Sequence, residues 1–406
     1  VAITVIGPSL HIYYGTTITS PLTLGMRQHI GVNGNYVYTD NAVTGAPLVV
    51  TLLSTDTTVA TVPATVTIPV GSSIGYFDVV AHDTIGTIQV KASATGFAPT
   101  VSYVQVGHPK FAIFATTSAT TTTPPTPITI YAEDQAGNTR YAAENVSVTL
   151  TSSNASVLAP DSATVTIVKD TYYSQAAKTV YAGAGTATLT ASDARPNFYR
   201  YDPVTTGTIT VVVPTVAINL PATGTLGLDE YVSTYAYIPN TLGADLVVNL
   251  GHTSGTTTSP ASVTITKGST YATFNVVGAA RGSDVLSASA TGFQTGTVTV
   301  AVDSGVIVFS GWPASVKAGD SVAVQIYAYD AGGNLRYLNS AVTFTLNANA
   351  NIAFDQGGSA VTSVTIPAGT YGTGTFYLKG VTAGTGSVNV TGGRFAAYVN
   401  TLTVNP

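Results

Sequence analysis

Apolar and polar residues alternate with a period of two along short stretches of the chain, as in TVTIPV (Thr65–Val70) and TFTLNA (Thr343–Ala348). That period puts every second side chain on one face, the mark of a strand with one buried side. Val, Ile, Thr and Tyr fill these stretches, and Gly and Pro interrupt them roughly every ten residues, the spacing of an all-β sandwich. Gly71, Gly96 and Gly268 read as turn glycines, and VNGN (Val32–Asn35) carries a hairpin signal. No convincing amphipathic helix is found, and the strong helix formers Leu, Glu, Lys, Gln and Arg are scarce. The pattern predicts an all-β protein.

The chain also repeats. IYAEDQAGNTRYAAENVSVTL (Ile130–Leu150) matches IYAYDAGGNLRYLNSAVTFTL (Ile326–Leu346) without a gap, so that 134 falls on 330 and 140 on 336. A second pair, PATVTIPVGSSIGYFDVV (Pro63–Val80) and PASVTITKGSTYATFNVV (Pro260–Val277), lies elsewhere, as do ASATGF at Ala92–Phe97 and Ala288–Phe293. Two dissimilar modules, A and B, therefore occur in the order A-B-A-B. Their expected bounds are 1–107, 108–214, 215–303 and 304–406, each about 100 residues, the size of an immunoglobulin-like sandwich. Linkers such as the one within Val211–Val216 are too short to act as flexible tethers.

The first A module is longer at its start. Pairing VAI (Val1–Ile3) with Val216–Ile218, and TLG (Thr23–Gly25) with Thr225–Gly227, places the extra residues around Gly7–Ser20, with more near Asn33–Asn35. One reading is a longer loop or an added edge strand. The other is a terminal segment that adds to the sheet of a neighbouring subunit, with Ile12, Tyr13 and Tyr14 as contacts.

The repeated D-x-x-G-N-x-R-Y element comprises Asp134, Gly137, Asn138, Arg140 and Tyr141, and again Asp330, Gly333, Asn334, Arg336 and Tyr337. It lies between strand-like runs, where Asp, Gly and Asn supply turn chemistry. Each Arg is expected to stack on or hydrogen-bond near its Tyr and lock the turn. A weaker alternative makes Asp134, Asn138, Asp330 and Asn334 cation ligands. A hard cation needs about six to eight oxygens, and no D-x-D-x-D-G loop occurs.

The run of a strand, D-x-x-G-N and then V-x-V-T-L resembles the bacterial Ig-like modules of invasin- and intimin-type surface proteins. The A modules, with PASVTI, a GS turn and ASATGF, resemble a related bacterial Ig-like repeat. The resemblance covers most of the chain and implies tandem Ig-like β-sandwiches in extracellular stalks, surface layers, filaments or adhesins. An LPxTG-type sorting signal, a surface-layer homology module and a lectin-like tip are not recognisable, which speaks against a host-cell adhesin.

Composition narrows the chemistry. Charged residues are 8% of 406, with Lys+Arg 14 against Asp+Glu 19, so no basic surplus exists to neutralise nucleic-acid phosphates. No apolar run approaches the roughly 20 residues of a membrane-spanning helix. With Cys 0, disulfides and thiolate chemistry are excluded. The five histidines, at 11, 29, 82, 108 and 252, form no metal or catalytic spacing and read as surface or loop residues. Gly71–Gly75 (GSSIG) fits the nucleophile-elbow pattern, but between two β runs rather than before a helix. No enzyme activity, metal or cofactor is expected.

Sequons stand at Asn145, Asn154 and Asn389, as acceptors of glycans or as chance products of a Thr-rich chain. The single Met, at 26, makes Val1 read as a mature end left by signal-peptide cleavage. The 23 tyrosines suit interfaces or sugar stacking, and Trp312 suits a contact between modules. Few charges and many edge strands point to self-association. The expected function is a secreted, non-enzymatic subunit of a surface filament or layer, with itself and glycans as partners. The alternative is an adhesin stalk or carbohydrate-binding region of a larger surface protein.

Overall fold

The computed structural model describes residues 7–14, 21–32, 34–174, 177–193, 195, 200–220 and 224–406. Among these the regular elements are strands alone. The chain divides into two compact units, Val1–Val212 and Val213–Pro406, and each contains two self-contained hydrophobic cores. In the first unit these run from Leu10 to Val106 and from Phe111 to Val211. In the second they run from Val216 to Val302 and from Ile307 to Val404.

The alternation seen in the sequence is the alternation of burial. In Thr65–Ile68, Val66 and Ile68 are buried while both threonines are exposed. In Val342–Ala348, Val342, Phe344 and Leu346 point inward. The turn between Thr65–Ile68 and Ile74–Phe77 passes through Gly71 at φ 81°, and its counterpart Gly268 has φ 79°. GSSIG is thus a turn that carries the chain from one sheet to the other: Ser72 caps it by accepting from the Ile74 amide at 3.1 Å, and no helix follows.

All four modules share one topological device. A second strand leaves the first and pairs parallel with the last strand of the module. The pairs are Leu22–Gly25 with Thr100–Gly107, Ser118–Thr120 with Ile209–Val212, Thr225–Gly227 with Gln294–Asp303, and Ser315–Lys317 with Tyr398–Asn405. The remaining pairings of these sheets are mostly antiparallel, so the split first strand closes one edge of each sandwich. This is the immunoglobulin-like pattern, repeated in A-B-A-B order.

Hydrogen-bond register corrects the alignment at the start of the chain. The strand Leu10–Tyr13 pairs Ile12 with Val37 and Tyr13 with Tyr36, as Thr215–Asn219 pairs Ile218 with Ala236 and Asn219 with Tyr235. Ser9 bridges Ala98 just as Thr215 pairs with Gln294. Leu10–Ile12 is therefore the counterpart of Val216–Ile218. The three-letter match at Val1–Ile3 was coincidental and lies outside the described residues, as does Asn33. Ile12 and Tyr14 are 7% and 3% exposed in their own module's core, so they are not free to contact a neighbour. Tyr13 remains on the surface, stacked on Tyr36.

Candidate functional site: the joint between paired modules

Within each unit the D-x-x-G-N-x-R-Y element seats itself on the preceding A module, through the same Asp, Arg, Asn and Thr in both. The turn closes on itself first. The Asp134 amide donates to Asn138 O at 2.9 Å and the Gly137 amide to Asp134 O at 3.0 Å, with Gly137 at φ 88°. The fully buried Asp134 carboxylate then accepts from the Asn138 amide and side chain and from Arg140 Nε at 3.0 Å. It also accepts from the Thr23 hydroxyl of module A at 2.7 Å. Arg140 Nε lies 2.8 Å from Thr23 O as well. In the second unit Asp330 takes the Thr225 hydroxyl at 2.8 Å and Arg336 Nε at 2.8 Å, and Arg336 donates to Thr225 O at 2.9 Å.

This arrangement corrects the cation alternative. Every lone-pair direction of the carboxylate is met by a donor, one of them a guanidinium, so an added cation would face Arg140 or Arg336. Among the described residues no group of three or more His, Asp or Glu is placed to hold a metal. Arg140 lies against the carboxylate rather than over the Tyr141 ring. Burial pushes the Asp330 carboxyl up, but Asn334, Thr225 and Arg336 outweigh it and hold it below the usual carboxylate range.

The residues after the motif extend the joint through the backbone. Tyr141–Ala142 pairs antiparallel with Gln28–His29 of module A, and the Ala143 amide donates to Arg27 O at 2.9 Å. Tyr337–Leu338 pairs with Glu230 and Tyr231 in the same way, and the Asn339 amide donates to Asp229 O at 2.8 Å. Arg27 and Asp229 occupy equivalent left-handed positions, at φ 58° and 59°. A non-glycine residue pays for that conformation, and both units retain it where the chain turns into the joint.

The two joints differ in charge. Arg27 pairs with Asp83 and faces Glu144 of module B at 3.9 Å. Its counterpart Asp229 instead accepts from Asn339, Ser340 and Arg394 of module B.

TLG, repeated at Thr23–Gly25 and Thr225–Gly227, was legible as a repeat but not as the other half of the clamp. The threonine supplies both groups that meet the Asp and Arg. The glycine makes room: a Cβ on Gly25 would lie 2.5 Å from Pro109 Cβ and 2.7 Å from Gln28 Oε1. Gly25→Ala is expected to cost about 1–3 kcal/mol through overpacking and to expose the joint to limited proteolysis. Gly207→Ala, with open space around it, is the neutral control. Equal resistance of the two variants would refute the close-fit account.

The other residues singled out by sequence are dispersed. Asn145, Asn154 and Asn389 are all exposed. Trp312 packs on Phe309 and Phe354 and donates Nε1 to Thr401 O at 3.1 Å. It completes the core of its own module rather than a contact between modules. His11 meets Asp40 and His82 meets Thr61. His252 meets the buried Asp284 at 2.9 Å, a carboxyl that burial pushes up but that Thr257, His252, Ser254 and Thr253 together hold well below its ordinary value. His29, read as an ordinary loop residue, sits instead in the first joint, between Asp78 and Asp170.

No protein-family model matches the chain, and no curated protein does. Among solved structures it is similar to the S-layer protein SbsC (31–844), at 15% identity and TM-score 0.30, over 98% of this chain and 52% of that one. It is similar to the D0-D1 domain of intimin, at 17% identity and TM-score 0.20, over 45% of this chain and 95% of that one. A β-glycosidase from Bacteroides vulgatus matches at 14% identity and TM-score 0.21, over 47% of this chain and 25% of its own. The chain spans only a part of the larger of these proteins. What its own strands establish is an all-β protein of tandem immunoglobulin-like sandwiches, paired two by two through a repeated buried clamp.

Proposed function

We propose that the chain is a non-enzymatic, extracellular structural protein that associates with itself into a surface filament or layer. The clamp carries this reading. It spends a buried Asp, Arg, Asn and Thr, and a stretch of backbone pairing, on holding two sandwiches in one fixed relation, and it does so twice. A strut that transmits force from one module to the next requires that fixed relation at every joint. The sparse charge, 8% of residues, supports association, because a charged surface is what keeps monomers apart. Strands at the ends of sheets, such as Thr65–Ile68 and Ser363–Ile366, offer sites for strand addition, and heterologous contacts of that kind that do not close produce fibres. Secretion, and glycans on Asn145, Asn154 or Asn389, belong to the same reading.

Electron microscopy of the purified protein over a range of concentrations tests it. Regular filaments or sheets are expected. Particles that stay monomeric at every concentration would reject it in favour of a stalk within a larger surface protein. A deletion testing strand addition has to stop before Gly7, because Leu10, Ile12 and Tyr14 are core residues.

A further inference from the structure

We propose that protonation locks both module joints, through the Glu230 carboxyl in the second unit and the His29 ring in the first. The inference concerns the joints themselves and stands whether or not the chain polymerises.

Glu230 is fully buried in the second joint, opposite Leu338 of module B. Its Oε2 accepts from the Gly227 amide at 2.6 Å, while its Oε1 is buried without a hydrogen-bond partner. The first unit shows what that position requires. There the residue is Gln28: Oε1 accepts from the Gly25 amide at 2.7 Å. Its Nε2 donates across the joint to Glu133 O at 3.1 Å and the Tyr201 hydroxyl at 3.3 Å. Glu230 Oε1 therefore stands where Gln28 carries its donor. Only the protonated carboxyl has a donor to offer there. The ionised form leaves a buried oxygen charged and unpaired, which is costly.

His29 reaches the same result by another route. Its Nδ1 lies 2.8 Å from Asp78 Oδ2 in its own module, and that carboxylate also accepts from the Gly31 amide, which places the shared proton on Nδ1. Nε2 lies 3.1 Å from Asp170 of module B, but with alignment too poor for a hydrogen bond. In the neutral ring a lone pair faces a carboxylate; in the imidazolium an N–H does. Asp170 is largely exposed, so water screens this link and its effect is the smaller one.

The charged surroundings agree. Burial raises the Glu230 carboxyl to about 7; the Asp330 charge adds to the rise, and the Gly227 amide and Arg336 oppose it. Asp330, held low, stays ionised through this range, and the adjacent Asp229 is occupied by Arg394. His29 is faced by Asp78, Asp170 and the Tyr141 ring. The Asp78 hydrogen bond raises its value, burial opposes, and both carboxylate charges add to the rise. Both folded-state values are thus raised. The second joint is fully stable below the ordinary Glu value of 4.5 and loses stability as pH climbs through about 7; the first is fully stable below the ordinary His value of 6.5 and loses less, at higher pH, as His29 gives up its proton.

Hydrogen exchange of the full chain, referenced to free-peptide rates at each pH, reads the joints through the Asn339 and Ala143 amides, which cross them. Asn339 protection is expected to drop on the order of a hundredfold between acid and mildly alkaline pH. Glu230→Gln, whose product is native in the other unit, should flatten that profile. Gln28→Glu should transfer the drop to Ala143, and His29→Gln should remove the smaller dependence there. An Asn339 profile unchanged by Glu230→Gln, or an Ala143 profile unchanged by Gln28→Glu, would overturn the proposal.

Discussion

Asp134→Ala is expected to uncouple the first pair of modules at a cost of about 3–5 kcal/mol, the penalty for stranding a buried cation. The carboxylate is 0% exposed, and Arg140 is 7% exposed. Without Asp134, the guanidinium keeps Thr23 O but loses its counter-charge, and the Thr23 hydroxyl and Asn138 lose their acceptor. Calorimetry of the full chain should show the unfolding of the first unit moving to lower temperature and splitting as its modules separate. Asp330→Ala should do the same to the second unit and leave the first alone. The double variant Asp134→Ala, Arg140→Met should recover much of the loss, because an apolar pair no longer buries an unmatched charge. A single variant within about 1 kcal/mol of the parent would mean that backbone pairing alone holds the joint.

Tyr201→Ala should be comparably damaging, at about 3–5 kcal/mol for an aromatic removed from a core. Tyr201 is 0% exposed and stacks on Phe111 with centroids 4.6 Å apart and planes 9° from parallel. The Arg195 guanidinium lies 5.6 Å from its ring centroid. Burial pushes its hydroxyl up to about 12, partly offset by the Gln28 hydrogen bond and the Arg195 charge. Tyr201→Phe keeps the ring and removes only the hydroxyl that Gln28 meets, so a loss of about 1 kcal/mol is expected. Thermal unfolding followed by circular dichroism separates the two roles. Equal losses for the two substitutions would show that the hydroxyl, and not the ring, carries the effect.

The strands were legible because burial in a sandwich has the period of the backbone itself. Thr65–Ile68 alternates in sequence and alternates identically in exposure. The duplication was legible from letters alone, and so was the turn around Asp134, because its hydrogen bonds close within a few residues. The start of the chain was misread because three matching letters carry less information than a ladder of hydrogen bonds.

The sequence by itself determined an all-β chain built of two kinds of module, duplicated, with turns where Gly, Asp and Asn cluster. These properties rest on local conformational preference and on periodicity, which neighbouring residues express without outside help. Only the tertiary structure decided what the repeated motifs are for. Thr23 and Asp134 are 111 positions apart, and Gln28 and Tyr201 are 173 apart. TLG and D-x-x-G-N-x-R-Y recur at different offsets in the two copies, and nothing in their spacing shows that one clasps the other. A carboxylate in a turn becomes a clamp, and a glutamate in place of a glutamine becomes a proton-dependent contact, only when a second module removes the water around it.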